Sequence, residues 1–300
     1  MNDSGRSFEA TMPTMPSLAK RRLGALFAEP KVTLGGGFVV LLIGIAVFAP
    51  VIAPKNPLDQ DLLLASLPPA GLTGAEPGYF LGTDDLGRDV MSRLIFGARV
   101  ALVVAFVAAG LAAFVGTVLG LLAGWCRGWV DMAISRLVDV WMAFPPVLLS
   151  ILLVAVLGSG LVSVIAAIAI IDWTRFCRVV RAETMNQAQA EYVTAARAVG
   201  FPRFHILMRE IVPNIAPALL ALISLEMGIA VIVEAILSFV GLSVSSDTPT
   251  WGGMIAQGRQ FLHQTWWVLA SPLAALFATV LAFNQLGEGL RRALDPVLRR

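Results

Sequence analysis

The sequence predicts an all-α integral membrane protein with six transmembrane helices and both termini in the cytoplasm. Three observations carry this. Of the 300 residues 57% are hydrophobic and 14% charged, against about 25% charged in a soluble domain. Six apolar runs recur along the chain, and a span needs about 20 mostly apolar residues. Lysine and arginine also favour alternate connecting segments. With both ends inside, 17 of the 22 fall on inner segments and 5 on outer ones, the sense of the positive-inside rule. A mean hydropathy of +0.80 excludes an ordinary soluble enzyme. A net charge of only +2 gives no argument for nucleic acid.

In chain order, residues 1–30 form a cytoplasmic tail of Ser, Thr, Pro and charges. Lys20, Arg21, Arg22 and Lys31 flank a first span in residues 31–53. That run is too long and begins too late for a signal peptide. Residues 54–97 form an outer segment. In it Thr83 or Asp84 is expected to cap a helix whose Val90, Met91, Leu94 and Ile95 share one face, lying on the membrane. Residues 98–290 hold the other five spans.

The second span, about 100–125, repeats Gly116, Gly120 and Gly124 every four residues, a flat stripe for close helix approach. The third, about 137–157, carries Asp139, with Arg136 as its expected partner. Pro145-Pro146 predicts a kink or unwound turn inside it. Gly158 to Gly160 is a tight connection. The fourth runs from about 161 to 173 and on into an arginine-rich inner end. The fifth, about 213–242, contains Glu226 near mid-membrane and Glu234 nearer the outer side. Eight residues separate these acids, about 80° around a helix, so both can line one pathway. Each can equally be neutralised locally by a proton or a hydrogen bond. A loop follows over 243–264, then the sixth span at about 265–286 and a cytoplasmic tail at 291–300. Trp125, Trp129 and Trp173 fall at the inner interface, and Trp251, Trp266 and Trp267 at the outer one. Cys126 and Cys177 are far apart and flank inner ends, so no disulfide is expected. His205 and His263 lack metal-ligand spacing.

Residues 191–214, EYVTAARAVGFPRFHILMREIVPN, are too polar to cross a bilayer yet lie between two apolar runs. They read as a short helix with a thin stripe of Val193, Ala195, Ala196 and Val199. Gly200 breaks it in the left-handed conformation. A second short helix is opened by Pro202, and Pro213 stops it or starts the next. Pattern alone suits an amphipathic connector as well as a docking element. No phosphate-binding loop exists, since Lys20, Lys31 and Lys55 all lie outside such a context. No Ser–His–Asp set or H-E-x-x-H is present either. If ATP drives this chain, a separate subunit hydrolyses it.

E-Y-V-x-A-A-R-x-x-G followed by R-x-I-x-P-N resembles the EAA loop of ABC-importer permeases, and more narrowly the dipeptide/oligopeptide/nickel permease family. Glu191, Ala195, Ala196 and Gly200 stand where that motif has its Glu, two Ala and Gly, with Phe201 and Pro213 beside them. Glu210 stands where many relatives carry His. G-T-D-x-x-G-R-D-V-x-S-R-L-x-x-G-A-R, just before the second span, is similar to the same family. So are EAILSFVGLSVSSDTPTWGGMI and VLAFNQLGEGLRRALDP, although residues 243–247 depart from its pattern. The resemblance covers about residues 80–297. It implies the type I importer permease fold, of the second, shorter-loop kind, in the cell inner membrane, with no enzymatic step of its own. The implied cargo is a dipeptide, oligopeptide or related small solute. The implied partners are a sister permease, two ABC ATPase subunits and an extracytoplasmic solute-binding protein. ATP and Mg would be held by the ATPase subunits, and no cofactor by this chain. Glu191, Ala195, Ala196, Gly200, Phe201 and Pro213 would couple to the ATPase, while Glu226 and Glu234 are the candidate pathway-lining residues. The rival from another class is a proton-coupled secondary transporter using Asp139, Glu226 and Glu234. Against it, the chain carries no visible inverted repeat.

Overall fold

The computed structural model describes residues 28–244 and 248–294. The tails expected at 1–30 and 291–300 therefore lie mostly outside the described residues, as does part of the altered outer loop. Among the described residues every regular element is helical. Helix α1 spans Pro30–Val47 and continues into one turn, α2, Ala49–Ile52; α3 is Val90–Cys126, α4 Gly128–Met142, α5 Pro146–Leu157 and α6 Leu161–Gln187. Then come α7 at Glu191–Ala198, α8 at Arg203–Ile206, α9 at Val212–Phe239, α10 at Trp251–Gln260 and α11 at Trp266–Leu294.

Four of these stretches are long and apolar enough to cross a membrane: α1, α3, the run Arg203–Phe239 through α9, and α11. Helices α4 and α5 meet at 87° and together make a fifth crossing if they form one broken span. The break falls at Pro145-Pro146. Pro146 begins α5 at a helical N-terminus, where a missing N–H costs nothing. Helix α6 has 27 residues, about 40 Å at 1.5 Å per residue. Its second half carries Arg175, Arg178, Arg181 and Glu183, too polar to count as a span by composition.

The centre of the fold is the contact of α3 with α6. A Cβ on Gly120 would lie 2.7 Å from the Cys177 carbonyl oxygen, and one on Gly124 would lie 2.8 Å from that of Arg181. Gly116 abuts the Trp173 carbonyl in the same way. The stripe thus lets two backbones touch directly, a packing that suits a membrane, where water drives nothing together. A second layer packs α1, α9 and α11 around Val39, Leu42, Val231, Trp267 and Phe283. Ser224 Oγ donates to the Phe283 carbonyl at 2.7 Å and ties α9 to α11.

Three expectations change. The helix foreseen on the membrane surface is the start of α3. Asp89, not Thr83 or Asp84, caps it by accepting from the Ser92 amide, and the helix runs on unbroken for 37 residues. Asp139 is exposed and, among the described residues, makes no pair with Arg136. Asp131 is the acid that finds an arginine: Arg181 grips both its oxygens across the α4–α6 contact. Thirdly, the outer loop holds helix α10. Thr250 Oγ1 accepts from the Gly253 amide at 3.1 Å and caps it.

Candidate functional site

Residues 191–214 form an elbow between α6 and α9. Helix α7 opens with Glu191, where a carboxylate meets the positive end of the helix dipole, and closes with Arg197 in the last turn, the matching sign. Val193 is fully buried in a cluster with Leu121, Val180, Ile206, Ile211 and Ile215. Ala196 packs partly against this cluster, but Ala195 and Val199 face outward. The expected stripe of four is therefore an anchor of two, with the other two residues presented outside.

Gly200 has φ +92°, the left-handed conformation that L side chains resist. A Cβ there would meet nothing within 4 Å. The glycine is required by the backbone, not by space. Pro202, with extended backbone, precedes the first turn of α8. The helix then loosens into a π turn over Leu207–Ile211 before α9. Pro213 supplies the reason. It has no N–H to give the preceding turn, so the ladder shifts. Asn214 Nδ2 donates to the Glu210 carbonyl at 2.6 Å and to Tyr192 Oη at 3.3 Å, while Tyr192 Oη donates to Gln187 Oε1 at 2.6 Å. Burial raises the Tyr192 phenol above its usual value, so it stays protonated and keeps donating. This chain of bonds locks α7 to the ends of both α6 and α9.

The outer rim of the elbow is apolar and uncovered. Val199 is 75% exposed, Phe204 70% and Phe201 48%. Phe201 stacks on His205 with ring centroids 5.0 Å apart. Beside the rim, a cavity of about 960 Å³ is lined by Trp125, Arg127, Arg197, Phe201 and Arg203, among others. Arg197 lies over the Trp125 ring at 5.3 Å. The elbow thus presents an apolar rim beside a recess lined by three arginines. The six expected coupling residues all belong to this one element, with Glu191, Ala195, Gly200, Phe201 and Pro213 exposed on it.

The two expected membrane acids are not brought together. Glu226 is 2% exposed and accepts from Arg175 Nη1 at 3.3 Å to each oxygen. Glu234, also buried, accepts from Ser238 Oγ at 2.6 Å and Ser243 Oγ at 3.3 Å. Both acids thus have local partners. Sequence reasoning missed Arg175, counting it with the inner flank, and also missed Asp172 one turn before it.

At the other end of the molecule, the G-T-D-x-x-G-R-D string ties into a buried knot. The Asp84 carboxylate accepts from the Arg88 guanidinium at 2.8 Å, from the Leu86 and Arg88 amides at 2.9 Å each, and from Arg93. Gln257 of α10 accepts from Arg93 at 2.9 Å and donates to Asp85 at 2.7 Å. Trp267 Nε1 donates to the Thr83 carbonyl, and Trp251 Nε1 to that of Leu94, each at 3.0 Å. The knot fastens the outer segment to α3, α10 and α11.

The family described as binding-protein-dependent transport system inner membrane component matches residues 116–300. The N-terminal TM domain of oligopeptide transport permease C matches residues 20–69. The dipeptide transport system permease protein DppC of Escherichia coli (strain K12) is 43% identical over 283 residues, 94% of this chain and 91% of that protein. The di/tripeptide transport system permease protein DppC of Pseudomonas aeruginosa (strain UCBPP-PA14) is 40% identical over 276 residues, 91% and 90% of the two. Among solved structures, the MetNI methionine ABC transporter in an inward-facing conformation superposes with a TM-score of 0.58 at 19% identity. That match covers 68% of this chain and 97% of the other.

Proposed function

This chain belongs to the binding-protein-dependent transport system inner membrane component family of ABC-importer permeases, and from that premise we propose that it imports short peptides. It is a translocation subunit and not an enzyme. In our reading it forms half of the pathway, beside a sister permease, with two ATPase subunits below and a solute-binding protein above. ATP and Mg belong to the ATPase subunits. Dipeptides and close relatives are the cargo, as the names of the two DppC relatives suggest.

We read the chain as six spans, counting α4–α5 as one broken span and α6 as another. Lys31 pairs with Glu288 at 2.5 Å, which supports putting the start of α1 and the end of α11 on one side of the membrane. The excess of lysine and arginine makes that side the cytoplasm. Glu191, Ala195, Ala196, Gly200, Phe201 and Pro213 then belong to an element that docks in the ATPase.

The observation that carries this reading is the elbow itself. It is locked to α6 and α9 by buried side chains and hydrogen bonds, yet presents Val199 and Phe204 bare. Movement of a partner gripping this rim would be passed to both helices as tilt, the shear or hinge motion by which packed helices switch. The test places a photo-crosslinking amino acid at position 199 or 204 of the assembled complex. Irradiation is expected to join this chain to the ATPase subunit from both positions. Adducts confined to lipid or to the sister permease would contradict the docking role.

A further inference from the structure

We propose that Asp172, in the cluster Asp172–Arg175–Glu226, is a binding site on the translocation path for the ammonium group of a transported short peptide. The inference rests on the permease reading above and adds to it a place and a ligand chemistry.

Depth comes first. Asp172 lies 11 residues into α6 from Leu161, and Glu226 lies 13 residues before the end of α9 at Phe239. At 1.5 Å per residue these are about 16 and 20 Å below the outer ends of their helices. A hydrocarbon core is about 30 Å thick, so the cluster is well inside it. Ionisable groups there are costly and mark functional sites by default.

Charge comes second. Two carboxylates lie near one guanidinium, so with both ionised the cluster carries one negative charge in surplus. Glu226 is the committed partner, with Arg175 Nη1 at 3.3 Å from each of its oxygens. Asp172 is only 6% exposed, and among the described residues it makes no hydrogen bond. It lies one turn from Arg175 on the same face, close enough to act electrostatically on both other members. A nearly buried carboxylate with no hydrogen-bond donor from the described residues is a place that a cation with N–H groups to give can fill. The cluster also has an open side, because the Arg175 side chain is 36% exposed. Glu234 differs on this point, since two serine hydroxyls already satisfy it. A primary ammonium carries one positive charge and three donors, and every short peptide with a free N-terminus brings one.

Asp172→Asn tests this, because it removes the surplus charge without changing shape. The readouts are two, both on the complete complex of both permeases and both ATPases. In saturation-transfer NMR without the binding protein, dialanine should show a signal that N-acetyl-dialanine lacks, and Asp172→Asn should abolish it. In proteoliposomes with saturating liganded binding protein, Asp172→Asn should import at least tenfold less dialanine per ATP hydrolysed, with hydrolysis itself within twofold of wild type. Asp172→Glu should recover most of both. An Asp172→Asn complex with unchanged dialanine signal and unchanged import would overturn the proposal, and would mean that a proton occupies the site. Failure of the two permeases to assemble in Asp172→Asn would overturn it too, by giving the acid a cation of the sister subunit. A wild-type complex that imports nothing on ATP would remove the permease reading itself, and the proposal with it.

Discussion

A Gly200→Val complex is expected to assemble in the membrane and yet lose binding-protein-stimulated ATP hydrolysis and uptake together, by about tenfold or more. The space around Gly200 is empty, so the valine side chain clashes with nothing. Its effect comes from the backbone alone: φ of +92° costs an L residue roughly 1–2 kcal/mol, and more for a β-branched one. About 1.4 kcal/mol is a factor of ten in the share of correctly bent elbows. The spans are untouched, so membrane insertion should be normal. A graded series makes the cause visible. Gly200→Asn, which tolerates the left-handed region, should retain most coupling, and Gly200→Ala should lie between. Equal loss in all three would point to a side-chain contact at this position instead. Full ligand-stimulated turnover in Gly200→Val would show that the elbow does not couple.

Asp84→Ala is expected to do the opposite, destroying the fold before any question of coupling arises. Asp84 is completely buried and holds Arg88 and Arg93, which are themselves nearly buried. Removing one partner of a buried ion pair leaves an uncompensated charge and costs about 3–5 kcal/mol. The variant also frees the Leu86 and Arg88 amides that the carboxylate accepts from. A melting curve in detergent should show Tm lowered by many degrees, or no folded complex at all. Asp84→Asn keeps an acceptor oxygen and should be less severe. A wild-type Tm in Asp84→Ala would mean that the outer knot is not what fastens α10 and α11 to the start of α3.

Much of this architecture is legible in local sequence. The Gly116, Gly120 and Gly124 stripe announces a helix contact because its spacing repeats on one face. Pro145-Pro146 announces a break because neither residue can donate an N–H to the ladder. Gly200 announces the elbow for the same kind of local reason. The misses are long-range pairings. Arg136 lies near Asp139 in sequence, so the two read as partners. Instead Asp131, 50 residues from Arg181, makes the contact, because α4 folds back against α6. Arg175 reads as an inner-flank arginine because two more arginines, Arg178 and Arg181, and a glutamate follow within a few turns. Only the packing of α6 on α9 reveals Glu226 beside it. Helix α10 hides for a different reason. WGGMIAQGR is rich in glycine, which weakens a helix. Yet Gly252 and Gly258 are what let it lie against the backbones of Ala235 and Leu269. The π turn at Leu207–Ile211 was within reach of the sequence through Pro213, whose missing N–H disrupts whichever turn precedes it.

In our reading the chain is half of a pathway whose movement comes from ATP hydrolysed elsewhere, delivered through the elbow. The measurement that tests this most directly is uptake of a radiolabelled dipeptide into proteoliposomes holding the full complex. ATP enclosed with the ATPase subunits is one condition, and a proton gradient without ATP is the other. Uptake is expected to require ATP and the binding protein and to be unchanged by a protonophore. Uptake driven by the proton gradient without ATP, and abolished by the protonophore, would contradict this reading and return Asp139, Glu226 and Glu234 to the role of proton carriers.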